Sequence, residues 1–243
     1  MNLVAMRHAI RPLLNERDPA DALASYYAFY HADARTHLIL QENEVGRATG
    51  YVAISRTGMD LFSPLVTLRL PPDNLGAGHE LISKAMPVSS AVILYAPASY
   101  GPLLNALFDL ESDEEHRLLV LDQSRFEPVI NVLVTQATSP DGLPRFVIRS
   151  QTDPGQVVAA AGLNWQTPTF AEISVHTVAD ERRQGWGRSV VAAMIHHLLQ
   201  TGRTPLYVSS EHNQASLQLA ENLGFRDSGH RMIFSPATRK DPF

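Results

Sequence analysis

The stretch EISVHTV at residues 172–178, followed by RRQGWGR at 182–188, decides how this 243-residue chain folds. Alternating polar and apolar side chains in the first segment predict a β-strand, and the glycines of the second predict a turn that opens a helix. A helix that starts at a glycine-rich turn presents free backbone N–H groups at the positive end of its dipole. The sequence therefore predicts a seat for a pyrophosphate. The helix itself is marked by apolar residues at helical spacing, namely Val190, Val191, Met194, Ile195, Leu198 and Leu199.

Positive charge and backbone freedom come together in this turn. Arg182, Arg183 and Arg188 supply the charge, and Gly185 and Gly187 let the main chain approach a phosphate without interference from a Cβ atom. A short glycine pattern arises readily by chance, so the setting carries the argument. Here a strand pattern precedes the turn and an apolar-faced helix follows it.

The turn resembles motif A of the GNAT superfamily of acyl-CoA N-acyltransferases, whose signature is Arg or Gln, two residues, Gly, any residue, and Gly or Ala. In this chain the signature reads Arg182, Gly185 and Gly187. A second block resembles motif B of the same superfamily, in which Asn213 leads into a helix that ends in Leu-Gly-Phe at 223–225.

This resemblance, which covers about residues 118–235, implies an acetyl-CoA site. In the superfamily the strand before motif A is splayed from its neighbour, and its free backbone groups bind the pantetheine arm and the acetyl carbonyl. The turn holds the pyrophosphate, mainly through backbone N–H groups. Carried onto this sequence, the resemblance gives these acetyl-CoA-binding residues: Val175, His176, Thr177, Arg182, Arg183, Gln184, Gly185, Trp186, Gly187, Arg188, Asn213 and Ser216.

Glu172 is the leading candidate for a general base, because several family members place a catalytic Glu near this point of the strand. Strand alternation puts Glu172, Ser174 and His176 on one face. If that face meets the acceptor, the catalytic base is Glu172 or His176, with Ser174 as a partner. The alternative interpretation is that Glu172 is an ordinary exposed strand residue.

One position departs from the family pattern. Many members carry a Tyr seven residues after the motif B Asn, and that Tyr protonates the leaving thiolate; here the position is Ala220. Either another group serves, or water does, or this half of the chain is not catalytic. Tyr207 and Ser209 are nearby in sequence, but the sequence does not place their side chains.

The first half of the chain resembles a diverged copy of the second. When Gly76 and Gly78 are aligned with Gly185 and Gly187, a strand, a helix, a strand and a helix recur in the same order. Without a gap, this alignment sets residues 66–70 against residues 175–179.

The chemistry of the turn does not recur. Asp73 stands in place of Arg182, and His79 stands in place of Arg188. An aspartate repels a pyrophosphate because both are negatively charged. In the block that corresponds to motif B, Tyr100 replaces the Asn. The first half is therefore expected to keep a related fold without an acyl-CoA site.

These patterns predict an α/β fold with mixed sheets, that is, a tandem GNAT-like acyl-CoA N-acyltransferase fold of two pseudo-repeated halves. The acidic run at 109–115 is typical of a solvated connector. We therefore expect a degenerate GNAT-like domain at 1–115 and an N-acetyltransferase domain at 116–243. A helix is expected over 20–34, and 129–136 fits either a helix or a strand. Strands are expected at 36–41, 50–56, 65–70, 117–121, 145–150, 157–164 and 170–177.

Composition narrows the class of protein. There are no cysteines, so thiolate nucleophiles and Cys-based metal sites are excluded. The adjacent His196 and His197 do not share a helix face and have no partner ligand, so no metal is expected. The net charge of −5 argues against nucleic acid and anionic membranes as partners. The protein is expected in the cytoplasm. It is expected to be a monomer or a homodimer.

The leading hypothesis is an N-acetyltransferase that transfers an acetyl group from acetyl-CoA to an amine of a small-molecule acceptor. A second hypothesis is a non-catalytic acyl-CoA-binding sensor or interaction module, which the loss of Tyr at Ala220 favours slightly. A third is an aminoacyl transferase that uses charged tRNA, which conflicts with the net charge of −5.

Overall fold

The computed structural model describes residues 1–58, 60–72, 74–129 and 131–241. The chain divides into two compact units. The first comprises Met1–His116 together with the chain from His230 onwards, and the second comprises Arg117–Gly229. The chain therefore leaves the first unit after His116 and returns to it with its last residues.

The first unit is built on a mixed sheet. Its helices are α1 (Leu3–Ile10), α2 (Ala22–Ser25), α3 (Leu75–Ala85) and α4 (Gly101–Leu107). Its strands are β1 (Thr36–Glu42), β2 (Ala48–Ser55), β3 (Leu65–Arg69), β4 (Ala91–Pro97) and β5 (Phe108–Leu110). The antiparallel pairs β1–β2 and β2–β3 are followed by the parallel pair β3–β4, which α3 connects.

The second unit repeats the succession of strand, helix, strand and helix that runs from β3 to α4 in the first. Its strands are β6 (Glu115–Leu121, from residue 117 onwards), β7 (Thr135–Thr138), β8 (Pro144–Arg149), β9 (Val157–Gln166), β10 (Phe170–Thr177) and β11 (Thr204–Ser210). Its helices are α5 (Trp186–Gln200) and α6 (Gln214–Asn222). Strands β7 to β10 pair antiparallel in sequence order, and α5 connects β10 to β11 in parallel.

The last strand, β12 (Phe225–Arg239), contributes to both units. Its residues up to Gly229 belong to the second unit, where Ser228 Oγ donates a hydrogen bond to the Leu118 carbonyl at 2.7 Å. Its later residues pair antiparallel with β4 and β5 in the first unit.

The core of the second unit lies between its sheet and the two helices. Helix α5 buries the apolar face that its spacing predicts, with Val190, Val191, Met194 and Ile195 at 0% exposure. These side chains pack with Ile173 of β10 in one buried cluster. Burial of this face anchors α5 against the sheet, so the start of the helix is held next to the end of β10.

The repeated order of elements confirms the predicted pair of pseudo-repeated halves and the mixed α/β fold. The ungapped alignment, however, is wrong in the strand. The parallel pairing of β3 with β4 ends at Thr67, and that of β10 with β11 ends at Glu172, so these two positions correspond. The ungapped alignment sets Thr67 four residues further on, because Thr67 lies nine residues before Gly76 whereas Glu172 lies thirteen residues before Gly185.

Most of the strands lie within two residues of their predicted bounds, but two other segments differ. The expected helix over 20–34 is α2 followed by a π-helical turn at Tyr26–Tyr30. Segment 129–136 is neither one helix nor one strand where it is described, since only its last two residues enter β7. No helix in the described part of the chain is both long and apolar enough to cross a bilayer.

Candidate functional site

A fork between two parallel strands forms the centre of the candidate site. Strands β10 and β11 pair at three positions, the last of which joins Glu172 to Leu206. Beyond that pair β10 continues to Thr177 and β11 to Ser210, with no further pairing of these two strands in the described residues. The main-chain groups that face the gap between the two arms are therefore not paired across it and can bind a ligand.

The two faces of β10 have different surroundings. Ile173 and Val175 pack into the cluster beneath α5 and α6. Glu172 and His176 alternate with them and point to the opposite face. The fork is thus a gap in the sheet with the helices on one side and Glu172 on the other.

The turn before α5 adopts a conformation that suits anion binding. Arg183 and Gly185 both have positive φ, at 64° and 79°. The N-cap position, Gly185, provides no side-chain hydrogen bond, so the first N–H groups of α5 are not capped. Successive N–H groups in such a turn form a concave anion site at the positive end of the helix dipole.

The two glycines of this turn act differently. A Cβ atom at Gly185 would have no neighbour within 4 Å, so glycine is needed there for its positive φ. A Cβ atom at Gly187 would lie 3.3 Å from Thr177 Oγ1 and 3.7 Å from Leu219 Cδ2. Gly187 therefore keeps open the space between β10, α5 and α6.

Three exposed cations surround the turn. The Nε of Arg182 donates to the Thr177 carbonyl at 3.4 Å. Arg183 and Arg188 are exposed and have no ion pair within the described residues. The charge at this helix start is therefore available to a polyanion.

Helix α6 forms the other wall. Its N-cap, Asn213, accepts a hydrogen bond from the Ser216 backbone N–H at 3.1 Å through Oδ1. The resulting cleft has a volume of about 620 Å³. It is lined by Val175, His176, Thr177, Glu181, Arg182, Arg183, Gly185, Trp186, Gly187, Arg188, Tyr207, Asn213, Ala215, Ser216, Gln218, Leu219 and Asn222.

All but one of the acetyl-CoA-binding residues expected from the sequence line this one cleft. The exception is Gln184, whose side-chain Nε2 donates to Glu181 Oε2 at 3.0 Å. The sequence did not identify the contributions of Ala215, Leu219 and Asn222. Their spacing along α6 was the available signal. Ala215, Leu219 and Asn222 follow one another at intervals of four and three residues, so they share one face of the helix.

Glu172 does not line the cleft and is 6% exposed. Its Oε1 accepts a hydrogen bond from Asn164 Nδ2 at 2.6 Å, and its Oε2 accepts one from Trp165 Nε1 at 2.8 Å. Burial raises the pKa of the Glu172 carboxyl, while the two hydrogen bonds oppose the increase. His176, by contrast, is exposed and lines the cleft.

Tyr207 contributes a buried hydroxyl to the same cleft. It is the first residue of β11 beyond the last pair of the fork, and its residue surface is 3% exposed. Its Oη lies 2.9 Å from Ser216 Oγ, and its ring packs against Phe225 with 5.6 Å between centroids. Burial raises the pKa of the Tyr207 phenol, and the hydrogen bond with Ser216 opposes the increase.

Comparison with known families agrees with this geometry. The sequence model of the GNAT acetyltransferase family matches residues 146–234. This segment runs from β8 into β12 and contains both motifs. A search of curated protein sequences finds no match. The family match covers the part of the chain that carries both motifs, and it confirms the resemblance to the GNAT superfamily seen there.

Solved structures share the fold over nearly the whole chain. A tandem GNAT protein from the clavulanic acid biosynthesis pathway is 14% identical, with a TM-score of 0.64 over 97% of this chain and 93% of that one. A Drosophila protein is 12% identical, with a TM-score of 0.66 over 99% and 96%. A GNAT-family acetyltransferase from Colwellia psychrerythraea is 13% identical, with a TM-score of 0.57 over 94% and 96%. At these identities the likeness is one of fold.

The fold and family together support an acyltransferase role that uses an acyl-CoA. Among the described residues, no group of three His, Asp or Glu side chains is arranged to hold a metal ion. The cleft itself offers main-chain groups, arginines and a few titratable side chains.

Proposed function

We propose that this protein is an N-acetyltransferase that transfers an acetyl group from acetyl-CoA to a primary amine of a small-molecule acceptor. The observation that carries the proposal is the uncapped start of α5, with its two residues of positive φ and its exposed arginines, at the open end of the β10–β11 fork. A pyrophosphate at the helix start and an extended thioester arm along the fork account for both features.

In this proposal the acetyl-CoA donor is held by main-chain groups more than by side chains. The N–H groups of Trp186, Gly187 and Arg188 face the pyrophosphate, and Arg183 and Arg188 neutralise its charge. Main-chain groups of Val175 to Thr177 that face the fork bind the arm. An N–H group in the fork that hydrogen-bonds the thioester carbonyl stabilises the oxyanion as the amine attacks.

The amine approaches from the face of β10 that carries Glu172 and His176. An amine must be neutral to attack, so a base on this face accelerates the transfer. Glu172 is one candidate, because burial raises the pKa of its carboxyl and Asn164 and Trp165 hold that carboxyl in place. Because Glu172 does not line the cleft, a water molecule would carry the proton to it. His176 is the alternative base.

The donor assignment is tested by calorimetric titration with acetyl-CoA. We expect one site per chain in the parent protein. Gly187→Glu should weaken binding by about 100-fold or more, because a carboxylate would fill the space beside Thr177 and repel the pyrophosphate.

Gly78→Glu is the matched control. Gly78 lies on α3, and a Cβ atom there would lie 3.4 Å from Leu103 Cδ2, so the steric load is similar. We expect the affinity for acetyl-CoA to be unchanged in this variant. Unchanged affinity in a folded Gly187→Glu protein would falsify the site, and two sites per chain in the parent would show that the first unit also binds the donor.

The second candidate function is an acyl-CoA-binding sensor without turnover. Ala220, which is completely buried, occupies the position where the superfamily resemblance leads us to expect a Tyr. Release of free thiol from acetyl-CoA in the presence of a panel of primary amines separates the two functions. Tight binding with no thiol release above the uncatalysed rate would favour the sensor.

A further inference from the structure

A buried hydroxyl pair lies where the arms of the β10–β11 fork begin to separate. Tyr207 is one residue beyond the last β10–β11 pair, and its side chain points to the helix side of the sheet, where it belongs to the same buried cluster as Ile173. Ser216, one turn into α6, is partly exposed and lines the cleft. The 2.9 Å contact between their oxygens joins the core to the cleft.

The hydroxyl pair lies at the end of the cleft opposite the arginine-rich turn. The arginine-rich turn and the uncapped start of α5 occupy one end, beyond Thr177. Tyr207 occupies the other end, at the apex of the fork. An acyl-CoA whose pyrophosphate sits at the helix start and whose arm follows the fork brings its sulfur toward the apex.

The pair also lies on the opposite face from the candidate base. Leu206 is the partner of Glu172 in the last pair of the fork, so the two side chains share a face. Tyr207, the next residue, points to the other face. A base on one side of the fork and a hydroxyl acid on the other suit a reaction in which the amine arrives from one side and the thiol leaves on the other.

We infer that Tyr207, hydrogen-bonded to Ser216, is the acid that protonates the thiolate leaving the acyl thioester. This inference rests on the proposed N-acetyltransferase function. The N–C bond forms as the amine attacks the carbonyl carbon, and the C–S bond breaks with its electron pair passing to sulfur. The Tyr207 proton then passes to sulfur, either directly or through the Ser216 hydroxyl. The amine proton leaves to the base, and solvent returns a proton to the phenolate.

The surroundings of Tyr207 suit this role better than those of the other proton donors in the cleft. Its phenol is protonated at neutral pH, where it can donate, and burial, which raises its pKa, does not change this. The arginines do not give up a proton at this pH. His176 is exposed and lies on the opposite face of β10. The ring is fixed by its contact with Phe225, which keeps the hydroxyl in place.

The first test compares Tyr207→Phe with the parent in an acetyl-CoA and amine-panel assay of thiol release. The ring and its packing remain, and only the hydroxyl is lost. We expect kcat to fall by about 10- to 100-fold, at the low end for an acid catalyst because a thiolate is a tolerable leaving group. Affinity for acetyl-CoA by calorimetry should be unchanged. Ser216→Ala should give a smaller fall in kcat.

Tyr100→Phe is the matched control in the first unit. The Tyr100 hydroxyl accepts a hydrogen bond from the Leu70 backbone N–H at 3.3 Å, so this hydroxyl has a structural role beside the fork of the first unit. We expect Tyr100→Phe to leave kcat unchanged. An unchanged kcat in folded Tyr207→Phe, or an equal fall in both variants, would overturn the inference.

A second test needs no acceptor and no turnover. Coenzyme A and its desulfo analogue are titrated into the parent protein and into Tyr207→Phe. The titrations are done at about pH 6.5 and pH 9.5, on either side of the ordinary thiol pKa of about 8.5. If the Tyr207 hydroxyl donates to the bound thiolate, the preference for coenzyme A over the analogue should grow at high pH in the parent. That gain should be about 10-fold larger than in Tyr207→Phe. The same gain in both proteins would overturn the inference.

These tests separate the inference from the function on which it rests. If the parent protein binds no acetyl-CoA, the proposed function and the inference fall together. If the parent binds and turns over acetyl-CoA but Tyr207→Phe behaves like the parent, only the inference falls. If Tyr207→Phe loses affinity for acetyl-CoA and its desulfo analogue equally, Tyr207 shapes the cleft and the acid role is wrong.

Discussion

Each unit contains a fork between two parallel strands, but the groups that surround the fork differ between the units. In the first unit β3 and β4 pair in parallel at three positions that end at Thr67, and in the second β10 and β11 do so and end at Glu172. Beyond these points β3 continues for two residues and β10 for five. The second fork is therefore deeper and leaves more main-chain groups unpaired.

The loop that leaves each fork decides whether its helix start can hold an anion. The first loop contains Pro71 and Pro72, which have no N–H to donate. Asn74 then caps α3, with its Oδ1 accepting from the Ala77 N–H at 2.9 Å. At the start of α5 no side chain takes this place. Asp73, the residue set against Arg182, lies outside the described residues.

Two polar side chains beside the first fork are engaged within the protein. Tyr100 accepts the Leu70 N–H, and the Arg69 guanidinium forms an ion pair with Asp21. The first unit nevertheless has the larger cavity, about 960 Å³ against about 620 Å³. Under the proposed function, cavity size therefore does not identify the acetyl-CoA site. What matters is whether N–H groups and cations are left without partners.

The largest difference expected between the forks concerns Glu172 and its counterpart Thr67. Glu172→Gln should lower kcat for amine acetylation by about 100-fold or more, because the amide cannot accept the amine proton. Thr67→Val should leave kcat unchanged, since Thr67 is buried and its hydroxyl has no hydrogen-bond partner in the described residues. The measurement is thiol release against pH. If Glu172→Gln keeps the parental rate while His176→Gln loses it, the base is His176.

A smaller difference is expected from the arginines. The double variant Arg183→Ser, Arg188→Ser should bind acetyl-CoA about 10- to 100-fold more weakly, because two charge-assisted contacts to phosphate are lost. Its affinity should also depend less on salt than that of the parent. Arg69→Met, which removes the cation beside the first cavity, is the control and should not change the affinity. Equal losses in the two variants would contradict the assignment of the donor to one fork.

The cap of α3 gives a modest effect on stability alone. Asn74→Ala should lower the free energy of unfolding by about 1 kcal/mol, since it removes a side-chain N-cap. Acetyl-CoA affinity should be unchanged, because the prolines of the loop still offer no N–H groups. Denaturant unfolding and calorimetry check the two halves of this prediction. A second acetyl-CoA site in Asn74→Ala would show that the cap is the main barrier to binding.

The smallest expected effect is a pH dependence of stability caused by Glu172. Its pKa is raised in the folded protein, so the folded state binds more protons than the unfolded state above the ordinary value of 4.5. The contribution of Glu172 to stability is therefore full below pH 4.5 and is lost as the pH rises through the raised pKa. Thermal unfolding of the parent and Glu172→Gln between pH 4.5 and 8 should show this loss only in the parent.

Local sequence signals predicted the elements well where they were strongly patterned. The strand at Phe170–Thr177, the buried face of α5 and the glycine turn all follow from spacing and residue type. The short apolar run at 129–136 was not decided, because a short run has no clear period. The register between the halves was also missed, since a loop of different length shifts the strand without changing its pattern.

The sequence by itself determined that the second half of this chain resembles the GNAT superfamily, where its glycine turn lies, and that Arg182 and Arg188 have no arginine counterparts in the first half. Only the tertiary structure decided which groups are free. Whether an N–H is capped, a carboxyl is buried against Trp165, or the Tyr207 hydroxyl reaches Ser216 depends on side chains distant in sequence. Burial and hydrogen-bond partners are properties of that packing, and they fix the proton affinity on which the proposed chemistry depends.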